Sequence, residues 1–249
     1  MSLSSETKGE GRRLVLAHGF TQNRHCWGPF ADDLATDHQV VAVDLPGHGD
    51  TSPAHDQSDL NQAADLLADV GGKATYVGYS MGGRVALHLA LRYPELVQSL
   101  VLIGATPGID DQDSRRARCQ ADETLAARLE TIGLDQFLDR WLASPLFAGL
   151  TEQTACRKQR LGNRVEGLAA SLRNTGTGTQ TPLWPRLGEI TAPVVVMVGQ
   201  GDAKFCEIGM KMVEYLPRAS MVSLAATHAV HLEQPGSAAT MVRRLGATI

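Results

Sequence analysis

The segment ATYVGYSMGGRVALHLAL, residues 74–91, changes character at its centre. Up to Tyr79 it is a short apolar run; from Met81 its apolar residues recur at helical spacing until Pro94 stops the pattern. A strand therefore passes into a helix through one polar residue, Ser80, with Gly78 and Gly82 two positions to either side. Small residues there let strand and helix cross closely, and a backbone turned that sharply pushes the Ser80 hydroxyl into the open.

Similar apolar runs begin at Arg13 (RLVLAHG), Val40 (VVAVDL), Ser99 (SLVLIGA), Val194 (VVVMVG) and Ser220 (SMVSL). Runs without polar alternation suit parallel strands buried on both faces. Helical patterns such as LNQAADLLADV separate several of them, so the chain is expected to form an α/β fold on a mostly parallel, doubly wound sheet. The rhythm lapses between residues 107 and 181, where the sequence turns charged, helical and arginine-rich. The expected organisation is a core from residues 1–106 and 182–249 with a helical lid inserted over 107–181. Within the insertion Leu125, Leu129, Ile132, Phe137, Leu138 and Trp141 fall roughly at helical spacing, a stripe suited to packing the lid onto the core.

A length of 249 residues fits one domain carrying an insertion. A net charge of -4 with both signs spread along the chain argues against a nucleic-acid or anionic-membrane partner, so an anionic ligand would have to be met by local arginines. The polar N-terminus MSLSSETKGEGRR has no signal-like apolar core, and the longest strongly apolar run is VVVMV; the expectation is a soluble, cytoplasmic protein, monomeric or a small homo-oligomer. Cys26, Cys119, Cys156 and Cys206 lie far apart without zinc spacing, and no G-x-G-x-x-G follows a strand, so reduced thiols and no metal or organic cofactor are expected.

GYSMG at 78–82 matches G-x-S-x-G in the strand-turn-helix context that a nucleophile elbow requires. A serine hydroxyl is a weak nucleophile and a weak base, so it needs a histidine in hydrogen-bond reach and an acid to orient that histidine. Asp202 follows the run at 194 and His228 follows the next, the positions where open α/β sheets gather their sites. Serine, acid, histidine is also the chain order of α/β-hydrolases. His18 belongs to the loop LAHGFTQN; His25, His38, His48, His55 and His88 lack the late post-strand position, and His231 reads as a core or surface histidine. Negative charge developing at this serine calls for backbone N–H donors, assigned to Met81 and, from LAHGFTQN, to Phe20.

HGF at 18–20, VDLPGHGDTS at 43–52, GYSMGGR at 78–84, GDAKF at 201–205 and HAVHLEQP at 228–235 together resemble the α/β-hydrolase superfamily over nearly the whole chain. GATPGIDD, RRARCQAD, RWLASPLF, RKQRLGN and LRNTGTGTQTPLW in the insertion resemble the 2-succinyl-6-hydroxy-2,4-cyclohexadiene-1-carboxylate synthases of menaquinone biosynthesis. The resemblance implies a triad of Ser80, His228 and Asp202 that abstracts a proton from a cyclohexene tricarboxylate derivative, which then loses pyruvate. It also implies that Arg84, Arg118 and Arg160, with Tyr79 and Trp141, bind this small polycarboxylate, guanidinium forks being matched to carboxylates. Thr227 departs from the pattern, standing where a glycine commonly precedes the histidine, and the segment before Arg13 leaves little room for the usual first strand pair.

Two other readings stand beside this one. A carboxylesterase, thioesterase or carbon-carbon bond hydrolase would use the same triad through a Ser80 acyl-enzyme, since one fold hosts many reactions. A binding module on the same fold would have no reason to keep serine, acid and histidine together.

Overall fold

The computed structural model describes residues 2–51 and 59–247; His55, Ser52 and the last two positions of the expected core lie outside the described residues. In chain order the elements are β1 (Ser5–Lys8), β2 (Arg12–Ala17), α1 (Gly28–Leu34), β3 (His38–Val43), α2 (Leu60–Gly71), β4 (Ala74–Tyr79), α3 (Met81–Arg92) and β5 (Val97–Ile103). They continue with α4 (Gln112–Leu142), α5 (Arg157–Arg160), α6 (Val165–Thr175), β6 (Val194–Gly199), α7 (Ala203–Tyr215), β7 (Ala219–Leu224), α8 (Val230–Glu233) and α9 (Pro235–Ala247). The strands form one sheet in the order β1-β3-β2-β4-β5-β6-β7, parallel throughout except for β1.

The unbroken apolar runs are explained by two cores. Along β2, Leu14 and Leu16 face one side and Val15 and Ala17 the other; β3 repeats the division with Val40 and Ala42 against Val41 and Val43. One core lies under α2, α3 and α7, the other under α1, α8 and α9. Strands clothed on both faces have no polar positions to spare. β1 corrects the expectation for the N-terminus: this polar segment does pair, antiparallel to β3, from Ser5 opposite Val43 to Lys8 opposite Val40. Its side chains are mostly exposed, so the strand rests on backbone hydrogen bonds that leave no apolar signature.

Between β5 and β6 a third cluster joins α4 to α6 through Ala126, Leu129, Phe137, Leu168, Ala169 and Leu172. Leu125, Ile132 and Trp141 pack against it half-buried. α4 is two helical runs rather than one, broken at Gly133 with φ 75° and ψ 168°. Among the described residues no helix is long and apolar enough to cross a membrane, and the four cysteines are unpaired.

The turn from β4 into α3 is a tight crossing. Ser80 sits there at φ 50°, a left-handed value costly for any residue but glycine. Gly82 passes so near the end of β2 that an added Cβ would lie 1.9 Å from the Ala17 carbonyl oxygen. Gly82→Ala is expected to cost about 2–3 kcal/mol of stability, seen as a melting temperature about 5–10 °C lower. A variant melting with the wild type would mean that the crossing has slack.

Besides His228, four histidines are buried in this frame: His18, His48, His88 and His231. Burial lowers their pKa values to about 4 for His18 and His88 and about 3 for His48 and His231. Nearby cations add to the effect, Arg84 at His88 and Arg160 at His231. These rings fold neutral, whereas in the unfolded chain they take up protons below about pH 6.5. Their stabilising contribution is complete above that pH and drains away as pH falls toward their folded values, by up to about 1.4 kcal/mol per pH unit for each ring. Urea midpoints are therefore expected to be level from pH 8 to 7 and to drop steeply between pH 6.5 and 4.5. A level profile down to pH 5 would contradict neutral burial.

Candidate active site

Ser80 follows β4, Asp202 follows β6 and His228 follows β7, so the parallel sheet delivers all three to the carboxyl ends of its strands. His228 Nδ1–H donates to Asp202 Oδ2 at 2.7 Å, and Nε2 accepts from the Ser80 hydroxyl at 3.2 Å. Asp202 caps α7, its Oδ1 accepting the Phe205 N–H at 3.3 Å, which leaves Oδ2 for the imidazole. Aspartate and histidine are both buried. The ring of His228 is held by Phe205, with centroids 4.5 Å apart, and by Tyr79 at 5.4 Å.

The loop after β2 closes a second side. His18 Nδ1–H donates to the Gly19 carbonyl at 2.9 Å and its Nε2 accepts the Leu45 N–H at 3.0 Å, so the neutral ring ties this loop to the one after β3. Gly19 lets the loop come close: a Cβ there would stand 2.6 Å from the Tyr79 ring and 3.5 Å from Ser80 Cβ. Phe20 and Met81 both line the cavity in front of Ser80. Neither backbone N–H has an acceptor among the described residues.

That cavity, of about 180 Å³, brings together Ser80, His228, Phe20, Met81, Arg84, Arg118, Arg160, Tyr79 and Trp141. Of the anticipated residues Asp202 alone stays off its wall, behind the imidazole. Arg160, 1% exposed, donates through Nε to the Ala155 carbonyl at 2.8 Å and through Nη1 to Thr21 Oγ1, while Nη2 has no partner among the described residues. Arg84, 7% exposed, donates through Nη1 to the Thr175 carbonyl at 2.6 Å; burial and the neighbouring Arg118 lower its pKa to about 10. Arg118 is half-exposed and paired to the buried Asp122 at 2.8 Å. The Trp141 N–H is also buried without a partner, and the burial of Tyr79 raises its phenol pKa.

No carboxylate among the described residues lines the cavity. In a chain of net charge -4, its wall holds three arginines, a lysine and a histidine. Two of those guanidiniums are buried without a carboxylate partner among the described residues, an arrangement that favours an anion. The described residues contain no group of three or more histidines, cysteines or acids able to hold a metal.

Several contributors escaped the sequence reading. Gly104, at φ 54°, makes room for His228, whose Cε1 would lie 2.8 Å from a Cβ there. Lys204 lines the cavity, as do Thr106, Ser171, Thr175 and Phe147. Thr227, the departure from glycine, donates its N–H and its hydroxyl to the two carboxylate oxygens of Glu233, at 2.7 and 2.6 Å. His231 is wholly buried between Trp27, Phe30 and Tyr79 and takes no place on the cavity wall.

Comparison with known proteins bears on the fold and the family. A model of the alpha/beta hydrolase family matches residues 14–239. A Bacillus subtilis (strain 168) protein provisionally named a 2-succinyl-6-hydroxy-2,4-cyclohexadiene-1-carboxylate synthase is 36% identical, over 94% of this chain and 90% of its own. The synthase of that name from Enterobacter sp. (strain 638) is 30% identical over 93% and 90%. The structure of MenH from S. aureus superposes with a TM-score of 0.91 at 30% identity, covering 98% of both chains. With the fold, the two relatives and the superposition in agreement along nearly its whole length, this chain belongs to the alpha/beta hydrolase family and, within it, to the enzyme family of the 2-succinyl-6-hydroxy-2,4-cyclohexadiene-1-carboxylate synthases.

Proposed function

We propose that the chain is a 2-succinyl-6-hydroxy-2,4-cyclohexadiene-1-carboxylate synthase of menaquinone biosynthesis, a carbon-oxygen lyase that removes pyruvate from a succinyl-cyclohexene carboxylate precursor. The observation that carries the reading is the cavity wall: cations, two of them buried, with no carboxylate among the described lining residues, facing a serine hydroxyl. A site for neutral esters would gain nothing from burying guanidiniums, which costs several kcal/mol each unless an anion compensates.

In this reading the substrate's carboxylates engage Arg84, Arg118 and Arg160, with the Trp141 N–H as a further donor. Ser80 then takes a proton from the ring carbon while passing its own to His228 Nε2, and Asp202 holds the imidazole in the tautomer that can accept it. The electron pair left on carbon forms the new ring double bond as the carbon-oxygen bond breaks, and the leaving unit departs as an enolate that takes up the proton held on His228 to become pyruvate. Negative charge developing on the substrate meets the N–H groups of Phe20 and Met81. The helices of 107–181 serve as a lid, excluding water from the charged contacts and strengthening them.

Ser80→Ala is expected to lower pyruvate release from the precursor at least about a thousandfold while leaving the melting temperature unchanged. Short p-nitrophenyl esters run alongside separate the chemistries: efficient Ser80-dependent ester cleavage without pyruvate would make the protein an esterase.

Arg84→Met tests the binding half. The loss of charge-assisted bonds is expected to raise KM about 10- to 100-fold. The melting temperature should hold or rise, because an unpaired buried cation has been removed. A fall in stability at unchanged KM would assign Arg84 to the scaffold.

A further inference from the structure

Lys204 belongs to the cavity wall, yet it is carried by a different element than the three arginines. Arg84, Arg118 and Arg160 come from α3, α4 and α5; Lys204 stands on the first turn of α7, two residues after Asp202. A cation there faces the positive end of the helix dipole, an unfavourable place that costs the helix a little stability. No acidic residue in that first turn offsets it, and the carboxylate of the capping Asp202 is engaged by His228 and the Phe205 N–H. Lys204 is exposed and, among the described residues, has no carboxylate within ion-pair distance. Its ammonium instead lies 5.8 Å from the centroid of the Phe205 ring, which itself packs on His228.

We infer that Lys204 is a specificity-determining residue for the proposed reaction: it takes a carboxylate that the substrate presents on the His228 side of the cavity, beyond the reach of the arginines. The inference rests on the polycarboxylate reading given above. A compact ammonium on a flexible four-carbon stem suits this place, since it can meet an incoming anion at the rim and follow it inward. Long-range attraction from an exposed cation also speeds encounter with a polyanion, an effect that salt weakens.

The test compares wild type, Lys204→Met, Lys204→Arg and Lys73→Met in two assays, pyruvate release from the precursor and calorimetric binding of the unreactive tricarballylate. Lys73→Met is the charge-matched control, an exposed lysine just before the opposite end of β4. The expected result is a KM and a tricarballylate Kd both raised about three- to fivefold in Lys204→Met. kcat should stay within about twofold, the dependence on NaCl should be shallower, and Lys204→Arg and Lys73→Met should stay near wild type. Normal turnover with KM and Kd unchanged in Lys204→Met would overturn the role of Lys204 and leave the proposed reaction standing. Absence of pyruvate release from wild type, with tricarballylate binding still weakened in Lys204→Met, would overturn the reaction and keep Lys204 as part of an anion site. Equal weakening in Lys73→Met would reduce the effect to net charge and overturn the inference.

Discussion

The passage of Gly82 over the carbonyl of Ala17 is the constraint on which the rest of the site depends. It sets how near the start of α3 comes to the end of β2, and so how near Ser80 stands to the loop carrying Gly19 and Phe20. A wider crossing would let Ser80 relax from its left-handed backbone and would draw Met81 away from Phe20. The same economy governs the partner side, where Gly104 yields the space filled by the His228 ring. Glycine is used at these points because backbone or ring atoms already occupy the place of a Cβ.

Phe20 joins this frame to the helices between β5 and β6. It packs against the core under α2 and α3 and also against the cluster between α4 and α6, meeting Phe137 and Trp141 edge to face. Its backbone carbonyl and the neighbouring Thr21 hydroxyl accept from Arg160. One short loop thus lends a residue to the cavity wall, an aromatic ring to the helices and two acceptors to a buried guanidinium. Small displacements of α5 would be felt at Ser80 through that loop.

The legible part of the molecule is the part whose physics is local or ordered along the chain. Strands covered on both faces leave apolar runs, so six of the seven could be read; β1 could not, because an exposed edge strand spends backbone hydrogen bonds rather than side chains. Ser80, Asp202 and His228 were legible by their order and their places after strands, and the structure brings them into hydrogen-bond contact. The stripe from Leu125 to Trp141 was legible as buried but not as broken, since a periodicity of side chains does not register a single backbone excursion at Gly133. Gly104, Lys204 and the pairing of Thr227 with Glu233 were illegible for a common reason. Each matters through a neighbour that the fold supplies, and nothing at its own position marks that neighbour. Thr227 shows the risk of reading a departure as a defect, for the side chain that replaces glycine is a ligand of the carboxylate that fixes the histidine's loop.

Charge placement explains why the cavity is costly to keep and useful to have. Arg84 and Arg160 are removed from water with backbone carbonyls and a hydroxyl as partners, which satisfy hydrogen bonds but do not neutralise charge. The acids nearby do not pair with them: Asp122 attracts Arg84 but is hydrogen-bonded to Arg118, Asp202 is behind His228, and Glu123 and Glu130 hold Arg173 on the outer face. The folded protein therefore carries an electrostatic debt at one place, held up by two cores and an aromatic joint. A polyanion bound there would settle it, and part of the free energy spent in folding the site would then return as affinity and as stability of the complex. The discrimination follows from the same sum: a neutral ligand leaves both guanidiniums uncompensated, and only a ligand with carboxylates spaced to meet them recovers the cost of burying them.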